Sequence, residues 1–300
     1  MQIEHIFDEL KDEPENVIIK KYGQSAKRYA VMLIILAFCG ICIFTVVQFL
    51  SIILDTVLPR NGSRLHHGLI VTEYFINKET FFYLIELHMC AALYIGIISL
   101  VSTGTLIIAY LQYVCGLFKI SSYRIERAMD FNLLHNITLK NENLIFERII
   151  YAVNIHRQAM RLSKLMMTKI EIMCCCLIIT GVIGLSFSLF RIFQIVSSEE
   201  NLKEKLMPFL VTICIITYMF VANYICQNVT DHNNHIYITA YDVQWYMAPL
   251  HIQKLILFLL QNGTKDLPLR VGVLFTGSLE GFATLVKASV SYFTFIYSTR

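Results

Sequence analysis

Charge is scarce in this sequence: 16% of its residues are charged and 56% are apolar, a balance that excludes an ordinary water-soluble domain. A basic segment followed by an apolar one, the mark of a cleavable leader, is missing from residues 1 to 29. That stretch instead carries Glu4, Asp8, Glu9, Asp12, Glu13 and Glu15 ahead of Lys20, Lys21, Lys27 and Arg28. Lysine and arginine nowhere reach the density of a phosphate-binding arm, and the net charge is only +3, so nucleic acid is excluded as a partner. Also missing are a glycine-rich phosphate loop, an HExxH or GxSxG signature and a paired-carboxylate motif. The chain therefore shows no enzyme chemistry and no cofactor site. The nine cysteines all fall in or beside apolar runs, whereas a disulfide framework would sit in exposed loops. They are expected to be small packing residues. The Cys174 to Cys176 run could bind a soft metal or take palmitate, but burial in mid-span favours packing. No metal site is expected, and His232 and His235 are expected to lie in a solvated loop, with no thiol or carboxylate cluster beside them.

What the sequence has in abundance is long apolar runs. A helix crosses the hydrocarbon core with about 20 residues, and five runs qualify, at about 30–54, 82–118, 172–195, 206–230 and 271–299. The expected fold is an all-α, polytopic membrane helical bundle of one domain, with about five spanning helices and cytoplasmic helical extensions at 119–171 and 242–262. In the first extension Ile145, Ile149, Val153, His156 and Met160 recur at helical spacing. Lysine and arginine number 17 in one set of alternate connections and 7 in the other. By the positive-inside rule the N-terminus is cytoplasmic and the C-terminus extracellular. Four glycosylation sequons exist, and under this topology only Asn61 meets the lumenal machinery.

Two constellations could carry function. In the last run Glu280, Thr284, Lys287, Ser291, Thr294 and Ser298 follow 4-3 spacing, so a polar seam runs along one helical face. Leu279, Phe282, Val286, Val290, Phe293 and Tyr297 occupy the remainder, with Val290 and Phe293 expected on the packed side. Such a seam lines a water-filled pathway or is buried between helices of one subunit. Glu86 and His88 begin the second run, and Gln48, Tyr83 and Tyr94 lie at similar depth, with Tyr218 in the fourth run. An apolar pocket bearing a few polar groups holds small molecules; interfacial anchoring by aromatic rings is the alternative.

The stretches Ala240-Tyr-Asp-Val-Gln-Trp245-Tyr246, Leu279-Glu-Gly-Phe-Ala and Ser291-Tyr-Phe-Thr-Phe-Ile-Tyr-Ser298 resemble the last segment of insect odorant receptors. So do Asp55-Thr-Val-Leu-Pro59, Glu73-Tyr-Phe75, Cys115-Gly-Leu-Phe118 and Tyr151-Ala-Val-Asn-Ile-His156 further upstream. The resemblance implies a subunit of a ligand-gated, non-selective cation channel in the membrane of sensory neuron dendrites. It also implies small volatile odorants as ligands and a hetero-tetramer with a shared co-receptor subunit. It points to the last helix as the pore lining, with Thr294, Phe295 and Ser298 near the outer constriction, and to the extensions as an anchor between subunits. The family has seven spans, and this sequence begins where the third would begin, so a truncated isoform is one expectation. A G-protein-coupled heptahelical receptor and a secondary transporter are the alternatives. The inside N-terminus and five-span count oppose the first, and the lack of an internal repeat opposes the second.

Overall fold

The computed structural model of the chain describes residues 12–57, 81–130, 138–196, 202–263, 269–271 and 275–299. Asn61 lies outside the described residues, as does the side chain of Gln48. Six α-helices account for nearly all of the described residues: α1 (Glu13–Val57), α2 (Phe82–Ala128), α3 (Leu139–Val196), α4 (Leu202–Asp242), α5 (Leu250–Gly263) and α6 (Leu279–Ser298). The expected helix at 242–262 is broken, because Pro249 has no N–H to donate. A 3-10 turn at Trp245–Met247 precedes it and α5 follows it. Two short strands, β1 (Arg270–Val271) and β2 (Phe275–Thr276), pair antiparallel with Val271 opposite Phe275. The last apolar run is thus a hairpin followed by a 20-residue helix, and its first eight positions are not helical as far as they are described.

Four of these helices, α1 to α4, contain stretches long and apolar enough to cross a membrane. The longest, α3, has 58 residues and at 1.5 Å per residue reaches about 87 Å, nearly three times the thickness of a hydrocarbon core. Much of it must therefore lie outside the bilayer. The chain is a multi-pass membrane protein.

The chain divides into two compact units, each drawing on several of the same helices. The first holds Met1–Lys27, Ile108–Val182 and Thr217–Ala288. Its core is closely packed: Leu117, Phe118 and Ile120 of α2, Ile145, Ile149 and Ile155 of α3, Ile236 of α4 and Ile252 of α5 are almost wholly buried. The buried positions of α3 recur every three or four residues, so one helical stripe faces inward. Ala152 and Ala159 on that stripe are fully buried, and the Ser121 hydroxyl donates to the Ala152 carbonyl at 2.9 Å. Arg124 grips Glu15 with two nitrogens at 2.5 and 2.8 Å. Because Glu15 is almost fully buried, this bidentate pair is shielded from water; the neighbouring Arg127–Asp12 pair at 2.6 Å is exposed on both sides.

The expected solvated loop around His232 is in fact helical, within α4. His232 Nδ1 lies 2.7 Å from the Asn228 carbonyl, which can only accept, so this nitrogen carries the proton. Its Nε2 is then the acceptor for the Tyr22 hydroxyl at 2.6 Å. Burial, with Cys115 alongside, pushes the Tyr22 phenol up to about 12 and keeps it a donor. His156, outside the expected spans, donates from Nε2 to the side-chain oxygen of Asn233 at 2.9 Å. Burial lowers its pKa, with the Asn233 bond opposing.

The second unit holds Arg28–Ile107, Ile183–Ile216 and Ser289–Arg300. Its helices are joined by short hydroxyl bonds and ring contacts. Ser188 donates to the Pro208 carbonyl at 3.0 Å and lies 2.6 Å from the Thr212 hydroxyl. Pro208, which lies inside α4, therefore has neighbouring hydroxyls on its carbonyl. Phe193 meets Tyr297 edge-on with ring centroids 4.7 Å apart.

Candidate functional site

Two glycines fix where α6 begins. At Gly277 an added Cβ would lie 2.6 Å from the Cys226 side chain, and at Gly281 it would lie 2.2 Å from the Thr276 carbonyl oxygen. Only glycine permits both approaches. Gly277 donates to the Leu269 carbonyl at 2.9 Å, while the side-chain oxygen of Asn223 accepts from the Ser278 backbone at 3.3 Å. Ser278 then caps the helix, its hydroxyl oxygen accepting from the Gly281 N–H at 2.9 Å.

From that start α6 presents two unlike faces. Leu285 and Ser289 are buried, with Phe282, Phe293 and Ile296 partly covered beside them. Phe282 packs edge-on against Phe220 at 5.5 Å, and further along the helix Ser186 donates to the Ser289 carbonyl at 3.0 Å. On the other face Glu280, Thr284, Lys287, Ser291, Thr294, Phe295 and Ser298 are all exposed. At about 100° per residue the seam is centred nearly opposite Leu285 and Ser289. Three of its hydroxyls bond back to their own helix: Thr284 to the Glu280 carbonyl at 3.0 Å, Thr294 to Ser291 at 2.8 Å and Ser298 to Phe295 at 3.0 Å. Among the described residues Glu280 and Lys287 form no ion pair with each other. Val290, expected on the packed side, is exposed at the flank of the seam. It lies about 140° from Leu285 by helical rotation, beyond the reach of the packed face.

The second constellation is brought together only in part. Glu86, Cys90 and Tyr94 follow one another at i, i+4 and i+8 on α2, and Glu86 and Cys90 are buried. The Tyr94 hydroxyl bonds the hydroxyl of Thr45 on α1, which itself donates to the Ile41 carbonyl at 2.7 Å. Tyr94 and Thr45 thus make a polar contact in an apolar setting, with Cys90 lying between Tyr94 and Glu86 on the same face of α2. His88, two positions from Glu86, lies on a different side of α2 and is exposed, as is Tyr83. Tyr218 belongs to the first unit, beside Cys174. Thr45 was not singled out in the sequence, and Cys90 was expected only as a packing residue, although the four-residue steps from Glu86 to Tyr94 place it between them. Among the described residues no group of three potential ligands could hold a metal ion.

These features define a class: a helical membrane protein whose last helix turns one packed face to its own chain and one polar face away from it. The family model of the 7tm Odorant receptor matches residues 1–290, and the chain belongs to that family. Its fold is similar to that of the insect olfactory receptor OR5 from Machilis hrabei in complex with eugenol. That match has a TM-score of 0.76 at 14% identity and covers 96% of this chain and 70% of that one. The structure of the same receptor without a named ligand matches with a TM-score of 0.71 at 15% identity over the same shares. No curated protein matches the sequence.

Proposed function

We propose that the chain is an odorant receptor subunit of a ligand-gated, non-selective cation channel, detecting small volatile molecules as part of a hetero-tetramer with a co-receptor subunit. In this scheme the N-terminus is cytoplasmic, α6 lines the conduction path and the protein resides in the dendritic membrane of sensory neurons. The observation that carries the proposal is the exposed polar face of α6. An apolar helix that shows lipid a glutamate, a lysine and a row of hydroxyls would be costly, whereas copies arranged around water would not be. Odorants would enter near Glu86, Tyr94 and Thr45, where an apolar surround and a few polar groups favour a small amphipathic ligand. The related receptor in complex with eugenol supports this choice of ligand class.

Cysteine accessibility tests the pore. In cells that co-express the co-receptor, Thr294→Cys and Ser298→Cys should react with charged thiol reagents applied outside, and current should change. Phe293→Cys, half-buried against Phe193, should stay inert. A positive adduct at Ser298 should lower cation current, because a fixed like charge in a narrow passage raises the entry barrier. Equal reactivity on both faces would sink the assignment.

A further inference from the structure

The cysteine run on α3 does not behave as mid-span packing. Cys174 and Cys175 are half-buried, whereas Cys176 is exposed. It lies on an outward ridge made of Arg161, Leu165, Lys169, Ile172, Cys176 and Ile179, all exposed and spaced 4-4-3-4-3 along the helix. That spacing keeps one face over five turns. The character of the ridge changes along it: two cations with one leucine come first, then Ile172 at 81% exposure, then the thiol. Glu171 is the last charge before the apolar stretch, so Cys176 sits about 7 Å past it, at the border of the hydrocarbon. Neither Arg161 nor Lys169 has an ion pair among the described residues. Free cations beside an anionic leaflet hold such a ridge at the membrane surface.

We propose that Cys176 is S-acylated by a long-chain acyl-coenzyme A and that the acyl chain lies along this ridge in the inner leaflet. The proposal rests on the orientation given above, because acyl-coenzyme A is cytoplasmic and only there would residues 119–171 meet it. In the reaction the Cys176 sulfur attacks the thioester carbonyl of the acyl donor. A new carbon–sulfur bond forms, the bond to the coenzyme A sulfur breaks, and the coenzyme leaves with the proton that Cys176 gives up. No redox change occurs. Cys39, Cys42 and Cys214 are also exposed, but each lies eight or more residues inside its run from the cytoplasmic end, beyond about 12 Å of apolar depth. They serve as internal controls.

The experiment uses the full chain co-expressed with its co-receptor in cells fed an alkynyl palmitate. Label released by neutral hydroxylamine is expected on the unmodified chain. It should be lost in Cys176→Ser and retained in Cys39→Ser and Cys214→Ser. Mass spectrometry of the unmodified chain should find the acyl group on the peptide containing Cys174 to Cys176, which keeps the test valid if the Cys176 variant misfolds. Thr168→Cys, exposed on the same helix, reports orientation separately through a membrane-impermeant maleimide. Protection in intact cells together with an unlabelled chain overturns the acylation alone. Reaction in intact cells overturns the orientation and the acylation with it. Full label remaining in Cys176→Ser also overturns the proposal.

Discussion

In the first unit Leu117, Phe118, Ile149 and Ile236 are at most 1% exposed, whereas in the second Phe38, Ile95 and Phe187 are each more than half exposed. Both units are built from the same long helices, so composition along a helix does not account for the difference. The first unit packs as a protein interior does, with aliphatic layers, a shielded ion pair and histidines that have assigned partners. The second displays its apolar residues outward, as expected where lipid replaces water and side chains need not hide. The contrast teaches that a single helix can obey two packing rules along its length.

Breaking the shielded pair should show this most strongly. Arg124→Ala leaves Glu15 charged in a dry site and should cost about 3–5 kcal/mol, while Arg127→Ala, in an exposed pair, should cost under about 1 kcal/mol. Unfolding in detergent followed through Trp245, the one tryptophan of the chain and part of the first unit, measures both. Equal losses would mean that the first unit is wetter than its geometry implies.

Core truncation comes next in size. Ile149→Ala should destabilise the protein by about 2–5 kcal/mol through a cavity that its neighbours cannot fill. Ile95→Ala, on a face turned outward, should change stability by no more than about 0.5 kcal/mol. The same unfolding assay separates them, and comparable losses would erase the distinction between the units.

The smallest effect expected is acid sensitivity in the first unit. His156 is held neutral by burial, whereas in the unfolded chain it protonates near the ordinary value of 6.5. Below that pH the unfolded state binds more protons, so stability falls as pH drops from there toward the lowered folded value and is unaffected above it. Phe118, Asn233 and Tyr237 surround the ring. His156→Gln keeps a donor toward Asn233 and should flatten the loss. An unchanged acid slope in that variant would place the sensitivity elsewhere.

The long apolar helices were legible in the sequence because uncharged runs longer than a bilayer needs leave few other folds. The seam on α6 was legible for the same kind of reason, since 4-3 spacing survives any choice of neighbour. The start of α6 was not: Val271 to Ser278 is apolar and reads as a continuation, and what stops the helix there is the close approach of Gly277 to Cys226. Nor could local pattern foretell that Glu15 meets Arg124 or that Thr45 meets Tyr94, because those pairs join distant segments. Exposure misled in both directions. Val290 and Cys176 were expected to pack and do not, and His232 was expected in water but accepts a bond from Tyr22.

The hydroxyls of Thr284, Thr294 and Ser298 have already committed their hydrogens to the carbonyls of their own helix. What they offer outward is lone pairs. At those three positions a dissolved ion meets oxygen acceptors in place of donors, which can replace part of the hydration shell of a cation, while Lys287 remains the cationic donor of the same face. In the proposed conduction path, the contribution of these three positions to a preference for cations would come from the direction in which ordinary alcohols have turned, with no fixed negative group there.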